Sequence, residues 1–180
     1  MDGVGGNQQV SLFFLVFTFV VLQRLLEVVY ARSNEKRMRA QGAIEFGAEH
    51  YKWIVLLHVL FFVSLLAEVF YIGMDLAPGW QWFFAGFLIA QLLRVWSLAS
   101  LGPFWNTKIL VLPGASKVKR GPYRWIPHPN YVVVAMEIAS LPLIFGAWRT
   151  ALIFSVANAL LLLFIRIPAE EKALERLESQ

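Results

Sequence analysis

"YVVVAMEIASLPLIFGAWRTALIFSVANALLLLFIRIPAEE", residues 131–171, is two apolar runs joined by "GAWRT" at 146–150. A bilayer crossing takes roughly 17–25 mostly apolar residues, and the stretches Tyr131–Ala147 and Thr150–Ile167 each meet that length. The joint carries turn chemistry and is too short for anything but a tight helical hairpin. The residues before Tyr131 and those after Arg166 must therefore return to the same membrane face.

Working outward, three more runs can cross: Val10–Ala31, Trp53–Gly73 and Trp80–Leu101. The first follows "MDGVGGNQQ", which has no basic segment and leads to no small-residue cleavage pattern, so it reads as a retained span. The chain is 58% hydrophobic and 16% charged, with mean hydropathy +0.60, against about 45–50% and about 25% for a soluble domain. These numbers predict an all-α, polytopic membrane bundle of about five helices as a single domain over 1–180. Residues 1–101 form a three-span part, and 102–180 carry the loop, the hairpin and the tail. The chain has no cysteine, which excludes disulfides, thiolate metal sites and a cysteine nucleophile.

Lys and Arg set the orientation. Five lie in Arg32–Lys52, five in Gly102–Asn130 and three from Arg166 onward; Arg149 alone faces the other side, and Arg24 and Arg94 lie within spans. The bias puts both long loops and the C-terminus in the cytoplasm and the N-terminus outside. It also explains the net charge of +4 as topology, without nucleic acid as partner. Trp53, Trp80, Trp82 and Trp148 stand at span ends, as an interfacial belt does.

Ionisable groups inside spans need partners or a watery cavity. They are Arg24, Glu27, His58, Glu68, Arg94, Glu137 and Arg166, and all but Glu68 fall in the cytoplasmic half. The bundle is thus expected to be apolar outside and polar inside, open to the cytoplasm. Arg24 and Glu27, three apart, share a helical face. Arg24, close to the span end, is expected to snorkel to lipid phosphates. His58 fits a satisfied interior histidine better than a ligand, and no histidine has metal spacing to another, so no metal site is expected.

The hairpin is preceded by "RGPYRWIPHPN", 120–130. Proline fixes its own φ and restricts its predecessor, so the backbone around His128 is held extended, and Pro129 begins the next helix. The residues alone leave two readings open: a pocket wall for a polar cofactor, or a plain connector. At the other end Pro168 breaks or kinks the helix and places Glu170 and Glu171 in a new first turn. Leu174 and Leu177 give that tail helix an apolar stripe. A cation, a carboxylate, an imidazole and a phenol (Arg166, Glu170, His128 and Tyr131) meet at one opening.

Two segments, "VKRGPYRWIPHPNY" at 118–131 and "RIPAEEKAL" at 166–174, resemble the isoprenylcysteine carboxyl methyltransferase family, whose motifs are V-x-x-G-x-Y-x-x-x-R-H-P-x-Y and R-x-x-x-E-E-x-x-L. The resemblance covers the C-terminal half from about Arg94. It implies a membrane methyltransferase using S-adenosylmethionine, held by Val118, Tyr123, His128, Pro129, Asn130, Tyr131 and Glu170, with Lys117 just upstream. Arg166 would be the catalytic residue, facing the acceptor. Two positions depart: Pro127 replaces the arginine before His-Pro, and "YVVV" lacks the usual glycine. Both bear on loop shape. "RLLEVVYARSNEKRMRAQGA" at 24–43 and "LGPFWNTKILVLPG" at 101–114 are similar to small bacterial members, some of which methylate alkylpyrones or alkylresorcinols.

The expected partner is a lipophilic or prenylated acceptor entering from the membrane lipid. A carboxylate acceptor needs no base and could be gripped by Arg166; a phenol or enol needs its anion stabilised. A phospholipid amine N-methyltransferase and a non-catalytic transporter or scaffold are the competing readings, though the chain shows no repeat of the kind that builds transporters.

Overall fold

The computed structural model describes residues 3–178, and the side chains of 8–175. The order is α1 (Gly3–Ala40), β1 (Ile44–Phe46), α2 (Ala48–Ile72), α3 (Trp80–Leu101), β2 (Ile109–Val111), α4 (Pro129–Ile144), α5 (Trp148–Leu161) and α6 (Ile167–Glu178). The architecture is an all-α membrane bundle. Among the described residues, four helical runs are long and apolar enough to cross a bilayer, and α4 is a shorter apolar helix beside them.

The first helix runs beyond the expected span, which ends at Ala31, to Ala40. Its extension, "RSNEKRMRA", is polar but made largely of good helix formers, and Glu35 and Arg39 pair across one turn at 2.9 Å. The fourth span starts at Pro129 as expected, with His128 as its cap. It stops at Ile144, short of Ala147. Sixteen residues rise only about 24 Å, so α4 is the short crossing.

The hairpin's second arm is one continuous helical rod. A π-helical turn, Leu162–Arg166, joins α5 to α6, and the Ile167 N–H donates to the Leu162 carbonyl five residues back. Pro168 has no N–H and cannot complete an α-helical ladder. The expected break is thus taken up as a widened turn. Leu174 packs on the protein as expected of the tail's apolar stripe; Leu177 lies outside the described side chains.

Phe13 and Val20 of α1, Phe61 and Leu65 of α2, Phe87 of α3, and Ile138 and Leu141 of α4 form the main core. Phe13 meets Phe145 edge to face at 5.0 Å, a favourable aromatic geometry. Outward faces are apolar: Leu15, Leu26, Leu92 and Phe164 are exposed, as a lipid-facing surface requires. At one end the connection after α2 meets the hairpin turn, where Ala77 N–H donates to the Ile144 carbonyl at 3.0 Å. Glu68 sits there as the N-terminal cap of α5. Its carboxylate accepts from Thr150 N–H at 2.7 Å, the Thr150 hydroxyl at 2.6 Å and Arg149 N–H at 3.2 Å.

At the opposite end the long connections are tied together. Strands β1 and β2 pair antiparallel, with Glu45 opposite Leu110, and Ile109 and Val111 pack on Ala173 of α6. This ribbon was not expected from the sequence. It clamps the loop after α1, the segment after α3 and the tail helix into one cap over the bundle.

Candidate active site

The loop before α4 is fixed against α3 by a glycine. Gly121 has φ +58°, and a Cβ there would stand 1.9 Å from Ser100 Oγ. No side chain fits such an approach. Beside it Arg120 Nε donates to the Ser100 carbonyl at 2.7 Å. A short 3₁₀ turn, Gly121–Arg124, follows and delivers the chain to His128.

The expected convergence holds. The Tyr131 hydroxyl donates to Glu170, and its oxygen accepts from Arg166 Nε at 3.1 Å. The His128 ring stacks on Tyr131 with centroids 5.3 Å apart. Its Nδ1 is 3.8 Å from Glu170 Oε2, and its Nε2 is 3.6 Å from Glu171 Oε1. Imidazole, phenol, guanidinium and carboxylate therefore form one cluster where α4, the π-helical turn and α6 meet.

Two atoms in this cluster are left open. Arg166 is 5% exposed; Nη2 donates to the Thr107 carbonyl at 2.8 Å, while Nη1 has no partner among the described residues. Asn130 Oδ1 is likewise buried and unpartnered. Burial pushes the Tyr123 phenol above its ordinary range, and the Glu170 carboxylate pushes it further. Tyr123 therefore stays neutral and can donate.

These groups open on a cavity of about 630 Å³, within the range of about 300–1,000 Å³ usual for small-molecule pockets. Tyr123, His128, Pro129, Asn130, Tyr131, Arg166 and Glu170 line it. Val118, half-buried, and Lys117, exposed, lie outside its lining. Phe17, Val21, Leu25, Val55 and Phe62 give it an apolar wall. Tyr51, Asn106, Thr107 and Lys108 also border it and were missed by sequence reasoning. Tyr51 and Thr107 share a hydroxyl contact of 3.1 Å. The Lys108 ammonium bonds Glu35 at 2.8 Å, which holds its pKa above the ordinary value.

Deeper in the bundle is a second polar centre. Arg94, 1% exposed, donates from Nε to Glu137 Oε1 at 3.0 Å and from Nη1 to Glu27 Oε2 at 3.0 Å. Arg24 donates to Glu27 at 2.7 Å and also to Glu137. The expectation that Arg24 snorkels is overturned: two carboxylates draw it inward, away from lipid phosphate. Gln91 donates to Glu137 Oε1 at 2.6 Å. Two cations and two carboxylates cancel, as buried charge in a membrane must.

The model of the Isoprenylcysteine carboxyl methyltransferase (ICMT) family matches residues 82–176. Among curated proteins, the chain is 48% identical to the uncharacterized protein YpbQ of Bacillus subtilis, over 91% of this chain and 97% of that one. It is 26% identical to an uncharacterized protein of Haemophilus influenzae, over 91% of this chain and 95% of that one. No solved structure matches. The matched region takes in the Gly121 loop, the histidine–tyrosine–glutamate cluster and the whole hairpin, and the chain belongs to the isoprenylcysteine carboxyl methyltransferase family of membrane methyltransferases.

Proposed function

We propose that the protein is an S-adenosylmethionine-dependent O-methyltransferase of lipophilic acceptors, such as an isoprenylcysteine carboxylate or the hydroxyl of an alkylpyrone or alkylresorcinol. The observation that carries this reading is one cavity with a hydrogen-bonding mouth and an apolar interior, with Arg166, Tyr131 and Glu170 in its lining. When bound, S-adenosylmethionine supplies a methyl group on a sulfonium centre. The mouth suits such a group: Glu170 offers a carboxylate to a cation, Asn130 lines it with an amide, and Tyr123 offers a donor. His128, Pro129 and Tyr131 complete this set, and Lys117 and Val118 join it by their place in the motif.

Arg166 takes the acceptor side. Its Nε and Nη2 are held by Tyr131 and Thr107, so the guanidinium is fixed in place with N–H donors to spare. A carboxylate oxygen would be gripped there; a phenolate or enolate would be stabilised as it forms. The apolar wall keeps water from the reacting groups. In this reading the basic loops place the mouth on the cytoplasmic side, with the N-terminus outside, and the acceptor's hydrocarbon tail enters from lipid.

Purified protein in detergent should bind labelled S-adenosylmethionine. It should also transfer label to at least one member of a panel of prenylcysteines, alkylpyrones, alkylresorcinols and phosphatidylethanolamine. Label on the amine lipid alone would overturn the O-methyl assignment, and absence of cofactor binding would overturn the enzyme reading in favour of a scaffold.

A further inference from the structure

We propose that Asn106 is a positioning residue for methyl transfer, aiming Arg166 through the backbone carbonyl of Thr107. This rests on the reading of Arg166 as the group that faces the acceptor, and concerns what holds that group still. Two acceptors hold the guanidinium: the Tyr131 hydroxyl at Nε, and the Thr107 carbonyl at Nη2, at 2.8 Å. The first stands on α4. The second comes from the connection between α3 and β2, which has no regular structure of its own at 105–108. A carbonyl in such a segment keeps its place only if its neighbours are tied down.

Both neighbours are tied to α1. Asn106 Nδ2 donates to the Ala31 carbonyl at 3.2 Å, and Asn106 Oδ1 accepts from Lys108 N–H at 3.1 Å. The side chain thus bridges the bend that displays Thr107. Lys108 Nζ in turn donates to Glu35 at 2.8 Å. Upstream in the same connection, the carbonyls of Gly102 and Trp105 accept from Asn34 at 3.1 and 2.9 Å. Ala31, Asn34 and Glu35 follow at helical spacings of three and four and share one face of α1. The polar continuation of α1 beyond the apolar layer is therefore a rail on which 102–108 is mounted. From α2, the Tyr51 hydroxyl meets Thr107 Oγ1 at 3.1 Å and adds a further support.

Asn106 is the tie that acts on both sides of the carbonyl. It borders the cavity, but its amide oxygen and nitrogen are both engaged within the chain. Its effect on the acceptor therefore runs through Arg166. Without it the carbonyl drifts, Nη2 loses its anchor and the guanidinium pivots on Tyr131. Misplacing a reacting group by about 1 Å costs about 10²-fold in rate. The loss falls on the chemical step, since Asn130 and Glu170, assigned to the cofactor, stand on α4 and α6.

The test uses full-length protein in detergent, labelled S-adenosylmethionine, and the best acceptor among prenylcysteines, alkylpyrones and alkylresorcinols. Asn106→Ala should lower kcat by about 10- to 100-fold, with acceptor KM and cofactor affinity little changed. Asn106→Asp keeps the bond to Lys108 N–H and loses the donor to Ala31. Its kcat should lie between the two, and it carries the test if Asn106→Ala no longer binds cofactor. In an Arg166→Ala background, Asn106→Ala should cause no further loss, because its route to the acceptor is already gone. Wild-type kcat in both variants overturns the proposal, and so does a full additional loss in the Arg166→Ala background, which would put Asn106 on the acceptor itself. A readout without turnover separates this from the enzyme reading. The Arg166 Nε–H resonance of ¹⁵N-labelled protein, identified by its absence in Arg166→Lys, should exchange with water about tenfold faster in Asn106→Ala, the scale of one hydrogen bond. Equal exchange overturns the positioning role whatever the transfer assay gives. Faster exchange in a protein that labels no acceptor upholds the hold on Arg166 and overturns its use in methyl transfer.

Discussion

Replacing Glu137 with glutamine probes the deepest electrostatic feature of the bundle. The side chain keeps its shape and loses its charge. The carboxylate receives four N–H donors: Arg94 Nε and Gln91 Nε2 at Oε1, Arg24 Nη2 and Arg94 Nη2 at Oε2. Glutamine can offer oxygen on one side only and must turn an NH₂ group toward donors on the other. The network also passes from neutral to a net charge of +1, with Arg94 almost fully buried. Removing one partner of a buried ion pair costs about 3–5 kcal/mol, or roughly two to four powers of ten in the folding equilibrium. Titration with sodium dodecyl sulfate from a mild detergent, followed by tryptophan fluorescence, reads this directly. Arg94→Met with Glu137→Leu should cost less than the sum of the two single changes, by about 1–3 kcal/mol, because the double variant leaves Arg24 and Glu27 paired with each other. Stability of Glu137→Gln within about 0.5 kcal/mol of wild type, or strict additivity in the cycle, would refute the assignment of these groups to one coupled network.

Three further outcomes are expected. Arg166→Ala should lower turnover by about 10²-fold or more, as losing a fixed donor to a developing anion does, while calorimetry shows cofactor affinity within a few fold; unchanged turnover would remove Arg166 from the reacting centre. Glu170→Ala should weaken cofactor binding about tenfold or more, since it removes a charged hydrogen-bonding group, and the same calorimetry checks it. Glu68→Ala should cost about 0.5–2 kcal/mol by uncapping α5, visible as a lower detergent melting temperature with little change in cofactor affinity.

The hairpin, the proline start of α4 and the meeting of His128, Tyr131, Arg166 and Glu170 were legible because each follows from local chemistry. An apolar run has a length, a proline has a fixed φ, and a short joint forces a return. The end of the first apolar run does not mark the end of α1, because hydropathy reports the solvent and not the helix; "RSNEKRMRA" leaves the apolar layer without ceasing to be helical. The ribbon of 44–46 with 109–111 was hidden because strands of three residues have no readable period and their partner lies far off in sequence. Arg24 was misjudged for a related reason. Its depth could be read, but its facing depends on Glu137, supplied by a helix more than a hundred positions away. Thr107 entered the site through a backbone carbonyl, which no residue identity announces.

The widened turn at 162–166 acts as a phase shifter. Leu160, ahead of it, is 53% exposed, while Arg166, its last residue, is 5% exposed and Ala173 beyond it is 1% exposed. An α-helix advances about 100° per residue, and one extra residue in a π-helical turn re-aims everything downstream by that angle. The rod can thus show grease to the lipid before the turn and its working groups to the interior after it. The azimuth of the chemical end is uncoupled from that of the anchoring end, and outer-face residues before the turn are free to follow membrane thickness and composition without disturbing the aim of Arg166 and Glu170.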